Sequence, residues 1–366
     1  MALGNTEEAA SEFERVIAIL ESSLGPDHAD TAGYLASSAR AMWFKGDRET
    51  AIDVQRRACE VYAKALENEH PKTARASIRL ARYLRQQGEV IEARALLERS
   101  LHDLEAVFGK NHPDVGAALV ELARVLRASG EANEAFVAAR RAERIGRENF
   151  ALVLEVLAEG EALRYAGLRI SGLDLMLSML ADGGVAGRDA TLAAWDAVVR
   201  ARALVLDEMA TRHRVTRVED AEVSSLRNTL ATARENLVRL VIRGTGDSSV
   251  ERHRTQLDAA RERVARAERS LAEASAAFRD RQRRDGIGID EVLGALPPGN
   301  GIVAFALFSF ETSKVEFGKQ QSLGAFSLPR PGSDPRFMRL GEREAVDRAV
   351  AGWRSQLRQP AGDEAA

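Results

Sequence analysis

His70–Leu101 reads HPKTARASIRLARYLRQQGEVIEARALLERSL, and its parts recur at a fixed interval on both sides. His28, His70 and His112 lie 42 residues apart, as do Gly46, Gly88 and Gly130. The same interval joins Ala39, Ala81 and Ala123; Arg40, Arg82 and Arg124; and Ala51, Ala93 and Ala135. Leu24, Leu66 and Phe108 make a further column, and the glycine and alanine series step back once more to Gly4 and Ala9. Self-similarity at one period marks a stacked architecture, in which each unit buries its apolar face only against its neighbours.

Each unit spells a helical hairpin. Pro71 and Pro113 follow the histidine, and a helix start tolerates the missing N–H. The small Ala39, Ala81 and Ala123 column lets two helices approach closely. The first helix is predicted to stop at Gly46, Gly88 and Gly130, because glycine accepts the left-handed conformation of a helix C-terminus. A second helix begins with the Ala51, Ala93 and Ala135 column and runs to the Leu24-type column.

This pattern resembles the tetratricopeptide repeat (TPR) in its 42-residue, kinesin-light-chain-like form, most closely in LARYLRQQGEVIEARALLERSL (Leu80–Leu101) and LARVLRASGEANEA (Leu122–Ala135). The resemblance covers residues 1 to about 146. It implies a mainly α protein whose first part is a right-handed α-solenoid, a partial first repeat plus three full ones. Met1 enters at the end of the first repeat's first helix with LGNTEEAA. Half a hairpin leaves an apolar edge open, so a truncated chain or a misplaced start is expected.

Composition agrees with a helical chain: of 366 residues, 45% are hydrophobic, only 5% aromatic, and nine are proline. A formal charge of −3 gives no global attraction to nucleic acid or a membrane surface. Six of the 52 basic residues are Lys, an Arg bias that suggests a GC-rich bacterial genome. The one cysteine, Cys59, excludes an intrachain disulfide and a multi-Cys zinc site and fits a reducing compartment. No basic segment followed by an apolar run opens the chain, and no stretch approaches the ~18–20 apolar residues of a membrane span. The expected location is the cytoplasm, with no membrane contact.

Residues 147–285 keep a helical period without the repeat columns. Leu152, Val156, Leu163, Leu173, Leu177, Leu180, Trp195, Val199, Leu204 and Met209 are its core candidates, and Gly183, Gly184 and Gly187 mark a loop. Two long helices follow, Ala221–Ile242 and Val250–Arg284, joined by RGTGDSS (Arg243–Ser249). Leu257, Val264, Leu271 and Phe278 recur every seven residues, with Ala260, Ala267 and Ala274 on the other seam. A neighbouring partner helix makes this a long antiparallel coiled hairpin rather than a dimer zipper.

From Gly286 the pattern changes. GIVAFALFSF (Gly301–Phe310) is read as a buried strand, LGAFSLP (Leu323–Pro329) and RFMRLG (Arg336–Gly341) as further short strands, Glu342–Leu357 as an amphipathic helix, and RQPAGDEAA as a polar tail. Three strands leave an open sheet edge, so 286–366 is expected to be poorly ordered or to need another chain. The second half resembles the region leading into a CHAT domain, a caspase-like peptidase fold. The matching pieces are EALRYAGLRISGLDLML (Glu161–Leu177), AAWDAVVRARALVLDEM (Ala193–Met209), the helical hairpin, and IDEVLGALPPGNGIVAF (Ile289–Phe305). That resemblance makes 286–366 a small, incomplete CHAT-like α/β segment.

A caspase-like peptidase needs a thiolate and an imidazole base together. Nothing after Arg284 is Cys or His, and the histidines are His28, His70, His102, His112, His213 and His253. No catalytic residue can be carried over, and an inert chain is expected. Cys59 is read as a buried structural thiol. The 42-residue histidine series puts each ring on a different repeat, roughly 10 Å apart on helix-packing dimensions, too far to share a metal. These histidines are therefore read as turn residues. GTG at Gly244–Gly246 lacks the strand and lysine of a phosphate loop. No metal and no cofactor is implied. The arginines of the last long helix alternate with Glu262, Glu268, Glu273 and Asp280, which fits a solvated face better than a nucleic-acid patch.

In the repeat family the first helix of each hairpin lines the concave side. Position by position, that places Arg40 and Trp43, Arg82 and Arg85, and Arg124 and Arg127 in the groove. Guanidinium groups with one indole suit carboxylates and an aromatic or apolar anchor. The implied partner is an acidic peptide or protein surface; the alternative is that the arginines are solvated or pair with Glu on the next repeat. Reversing Arg82 and Arg124 to Glu is expected to abolish binding with little change in melting temperature. The function implied is a protein-interaction scaffold, similar to the sensor half of a bacterial TPR–CHAT protein. The rival is a caspase-like cysteine protease cut short of its catalytic His/Cys segment.

Overall fold

The computed structural model describes residues 6–66, 69–154, 161, 171–201, 220–245, 249–311 and 320–358. Met1, Gly4, Val156, Leu163, Leu204 and Met209 lie outside them, as do the centre of the Arg243–Ser249 turn, the tail from 359, and much of the CHAT-like stretches Glu161–Leu177 and Ala193–Met209. Seven helices open the chain: α1 (Thr6–Ser23), α2 (Ala29–Lys45), α3 (Arg48–Ala65), α4 (Pro71–Gln87), α5 (Val90–Phe108), α6 (Pro113–Ala128) and α7 (Ala132–Leu154). They form TPR-like stacked hairpins, α2–α3, α4–α5 and α6–α7, with α1 supplying the second helix of a partial first unit.

The repeat columns resolve into specific interactions. His28, His70 and His112 are helix N-caps: each Nδ1 accepts the backbone N–H two residues on, from Asp30, Lys72 and Asp114, at 3.2, 3.1 and 3.2 Å. The turn residue of the sequence reading thus satisfies an orphan donor at the start of each first helix. Gly46, Gly88 and Gly130 close the same helices at φ of 97°, 89° and 83°. The next N–H in each case reaches back to Met42, Leu84 and Leu126 at 3.1, 2.9 and 2.9 Å, the longer bond of a Schellman turn. An added Cβ at Gly88 would meet nothing within 4 Å. Gly88→Ala is therefore expected to lose about 1 kcal/mol from left-handed backbone strain alone, readable as a lower urea midpoint; an unchanged midpoint would mean the turn does not require glycine.

Both alanine columns are the tightest points of the stack. Ala39, Ala51, Ala81, Ala93, Ala123 and Ala135 are at most 1% exposed. Leu84, Leu97 and Leu104 of the α4–α5 hairpin, all at 0%, belong to the core that runs through the repeats, and burial of each such side chain contributes about 1.5–3 kcal/mol. On the second helices, arginine–glutamate pairs stitch neighbouring repeats: Arg57 to Glu21, Arg56 to Glu92, Arg94 to Glu131 (2.7 Å) and Arg141 to Glu105 (2.5 Å). Pairs that remain this accessible to solvent contribute about 1 kcal/mol or less each.

The core continues past the repeats. α8 (Leu173–Ala181) abuts α7 at Gly172, where a methyl group would overlap the Ala139 carbonyl, and the adjacent Ser171 hydroxyl donates to buried Glu143 at 2.5 Å. α9 (Arg188–Ala201) places Trp195 at 1% exposure. α10 (Ala221–Arg243) and α11 (Val250–Ala274) pair as a hairpin, burying Leu230 and Leu237 against Leu257, Ala260, Val264, Ala267 and Leu271. The single helix expected to Arg284 breaks at Ser275 (φ −125°, ψ 111°), whose hydroxyl accepts the Phe278 N–H at 3.2 Å and starts α12 (Ala276–Asp285). Ala274 at the break is exposed, whereas Phe278, carried by α12, is half-buried and still packs on the core. The hairpin docks on the solenoid at Phe108: Arg261 donates to its carbonyl at 2.7 Å, His253 meets its ring edge-on at 5.5 Å, and His112 stacks on it at 4.0 Å.

α13 (Ile289–Gly294) leads into an antiparallel sheet of β1 (Ile302–Phe310), β2 (Gln320–Leu328) and β3 (Arg336–Glu342), in the order β1-β2-β3, followed by α14 (Arg343–Arg358). Ile302 pairs with Leu328 and Phe310 with Gln320; the β2–β3 register shifts at Leu323/Gly324. β1 is not buried on both faces, as its apolar run suggested. Ala304, Ala306 and Phe308 point inward with Phe326, which stacks on Trp195 at 5.2 Å, whereas Val303, Phe305 and Leu307 are 60%, 53% and 49% exposed. β1 is covered on one face, so alternation governs what it buries. Its inner face joins the same hydrophobic core as the repeats.

Candidate protein-binding surface

The three first helices, α2, α4 and α6, carry the six residues expected in the groove, and helix geometry divides them into two sets. Arg40, Arg82 and Arg124 follow the buried alanine column by one residue. Trp43, Arg85 and Arg127 follow it by four, which returns them to the alanine face. The structure separates them in part, since the Arg124 side chain is only 19% exposed. Arg40 is exposed and the Arg82 side chain half-exposed, whereas Trp43 is 6% exposed and the Arg127 side chain 7%.

Trp43 is a packing residue and not a projecting anchor. Its ring lies parallel to that of Tyr83 at 4.1 Å, joining α2 to α4, with the Arg48 guanidinium 5.6 Å from its centre. The exposed aromatic beside Arg40 is Phe44, whose ring lies 5.7 Å from the Arg40 guanidinium. Phe44 belongs to no repeat column, so nothing in the periodicity marked it. The Tyr83 hydroxyl is pushed up by burial, and the nearby charges of Arg79, Arg82 and Arg40 pull the other way. Arg79 bridges the same two helices, donating from α4 to the Ala36 carbonyl of α2 at 3.1 Å.

Farther along, the arginines gather on Glu121, a residue the sequence reading missed. Its side chain is 3% exposed; Arg82 bonds it from α4 at 2.7 Å and Arg124 from its own helix at 2.8 Å. Burial alone would raise the Glu121 carboxyl, but Arg124, Arg82 and Arg85 override it and hold the group below its ordinary value. Arg124 also forks onto Glu311 at the end of β1, Nε to Oε2 at 3.0 Å and Nη2 to Oε1 at 2.9 Å. Burial opposes the Arg124 charge, yet the two carboxylates hold its proton more tightly than usual. Arg85 is shifted down, chiefly by burial, with Arg124 and Arg82 adding repulsion and Glu121 and Glu311 opposing it. Arg127 reaches Asp182 beyond α8 at 2.5 Å.

One expectation changes as a result. Reversing Arg82 and Arg124 would place three carboxylates in contact at Glu121, so that double variant is destabilised and does not test binding cleanly. A distant signal for Glu121 existed in the sequence: it lies 39 residues from Arg82, one repeat less one helical turn, the same separation that joins Arg75 to Asp114 at 2.6 Å.

Cys59 is half-buried, and burial pushes its thiol up to about 11 despite bonds from Ser77 and Gln55. A thiol so protonated is a poor nucleophile. Among the described residues no group of three or more His, Cys, Asp or Glu could hold a metal ion, and no helix is long and apolar enough to cross a membrane.

The sequence profile of the tetratricopeptide repeat matches residues 1–64 and 72–148. Similar solved structures include a variant form of the Podosopora anserina putative kinesin light chain nearly identical TPR-like repeats, at 24% identity and a TM-score of 0.38, covering 59% of this chain and 90% of that one. BtubC (BKLC) from P. vanneervenii is similar at 16% identity and a TM-score of 0.39, covering 59% and 77%. A second structure of the Podosopora anserina repeats gives 21% identity and a TM-score of 0.35 over 68% and 99%. No curated protein matches the chain.

Proposed function

We propose that this chain is a protein-interaction scaffold whose repeats hold an extended acidic peptide, or an acidic partner surface, against α2, α4 and α6. The repeat profile supports the general role, since TPR proteins mediate protein–protein interactions. The observation that supports the acidic partner is exposed Arg40 beside exposed Phe44 on α2; Arg82 and Arg124 on the same helix face already pair with Glu121 and Glu311. Arg40 gives the clean test, because it is exposed and lies outside the Glu121 cluster. In fluorescence anisotropy with a labelled oligo-glutamate peptide, Arg40→Glu should weaken binding about tenfold, since a charge reversal at a rim converts attraction into repulsion. Its melting temperature should stay that of the wild type. Equal binding by both proteins removes the groove reading.

The finer reading is the sensor half of a TPR–CHAT protein. It draws on the order of three antiparallel strands and an amphipathic helix after LPPGN. The rival reading, a cysteine protease lacking its catalytic segment, draws nothing from Cys59, whose thiol is held protonated.

A further inference from the structure

We propose that the outward face of the β-sheet, with the apolar stripe of α14 beside it, is a two-fold interface at which this chain pairs with a second copy of itself. This goes beyond the groove on α2, α4 and α6 and does not depend on it. β1 reads IVAFALFSF, apolar at every position but Ser309. A run of that kind suits a strand covered on both faces, yet Val303, Phe305 and Leu307 stand open on one of them. The open side chains are contiguous. Phe305 lies opposite Ala325 on β2, which lies opposite Met338 on β3, so the three share one row. Leu340 follows Met338 on the same face. Beyond Leu340 runs a groove of about 420 Å³ against α14, lined there by Ala345, Val346, Ala349, Val350 and Trp353. Those positions recur at helical spacing and make one apolar stripe. Among them only Val346 is half-buried, and Trp353 is 60% exposed.

Area, shape and charge all fit a second copy. An aromatic side chain carries about 150–250 Å², so Phe305 and Trp353 each hold open about 100 Å², and the seven exposed large side chains of this face roughly 600 Å² together. Doubled across a two-fold axis, that gives roughly 1,200 Å², enough for a stable contact. The patch also has a ridge, Val303, Phe305 and Leu307 on β1, and a groove between β3 and α14, with the small Ala325 and Ser327 of β2 between them. An axis running along β2 sets the ridge of each copy over the groove of the other. β1 and β2 hold no charged residue, and on α14 Arg343 pairs with Asp347 at 3.5 Å and Arg348 with Glu344 at 4.0 Å. A face of one sign would repel its own copy; this face does not, and it offers an anionic lipid surface no net attraction.

In sedimentation velocity over a hundredfold concentration range, the full chain should pass from monomer to dimer. Trp353 reports the contact without any substitution, because Trp43 and Trp195 are buried within the chain itself. Tryptophan emission should therefore move to the blue as the dimer forms. Leu307→Lys and Trp353→Lys should each weaken association at least about tenfold, since each puts a charge into a desolvated contact. Ile91→Lys, at an 86% exposed position of α5, should leave it unchanged. A wild-type chain that stays monomeric throughout overturns the proposal, and its sedimentation with lipid vesicles would then assign the face to a membrane surface. A dimer whose emission does not move, or which neither Leu307→Lys nor Trp353→Lys weakens, uses another surface and overturns the proposal as well. The Arg40→Glu result stands apart from all of these outcomes.

Discussion

Glu121→Ala should destabilise the repeats by about 3–5 kcal/mol, the typical loss when one partner of a buried charge cluster is removed. Glu121 is 2% exposed and is approached by Arg82, Arg85 and Arg124. Without it, Arg82 and Arg124 each lose a bonded carboxylate and Arg85 a nearby one. Arg85, already shifted down chiefly by burial, would lose the largest influence opposing that shift. Urea denaturation at pH 7 measures the loss, and a second substitution separates charge from packing. Arg82→Ala in the Glu121→Ala background should recover part of the stability, giving a coupling energy of about 1 kcal/mol or more between the two sites. A Glu121→Ala protein within about 1 kcal/mol of wild type would mean water or rearrangement shields the arginines.

Acid should loosen the junction between the solenoid and the α10–α11 hairpin in a defined window. His112 is 2% exposed, and its folded pKa is lowered from 6.5 to about 4, chiefly by burial, with Arg75, Arg261 and His253 reinforcing the shift and Asp114 opposing it. His253 is lowered as well, by burial and by Arg261. The folded protein therefore favours the neutral ring, and between the two pKa values the unfolded chain binds more protons. Stability from His112 is complete above its unfolded pKa and is lost as pH falls towards the folded one. The full loss is about 3 kcal/mol, about 2 kcal/mol of it by pH 5. Protonation also removes the Nδ1 lone pair that caps α6 by accepting the Asp114 N–H. Comparing urea midpoints at pH 7.5 and 5 tests this above the range in which Glu121 titrates, because its folded pKa lies below the ordinary 4.5. His112→Asn retains a cap-forming side chain without the titration and should show a flatter profile. An equal fall in both proteins would assign the acid sensitivity to other groups.

How much of this was legible in the sequence follows from the range of the interactions involved. Within the repeats, helix starts, helix ends and buried small residues are short-range decisions repeated at one period. His70, Gly88, Ala81 and Ala93 therefore declared the hairpin before any contact was known. The histidine series declared a position but not its work, since a turn residue and an N-cap occupy the same place in a pattern. Helix phase was legible too, had it been applied strictly: Trp43, Arg85 and Arg127 lie four residues past the alanine column and return to the buried face.

What sequence by itself determined is the stacked-hairpin solenoid, because each unit's local code is complete and needs only a copy of itself as neighbour. Tertiary structure alone decided three things. β1 buries one face and not two, because α8 packs on one side of it and its other face is left exposed at Val303, Phe305 and Leu307. The long helix breaks at Ser275, where a hydroxyl cap starts a new helix. The arginine row meets Glu311, 187 residues away from Arg124. Contacts of that separation arise from how whole elements dock, and no periodic signal in either segment encodes them.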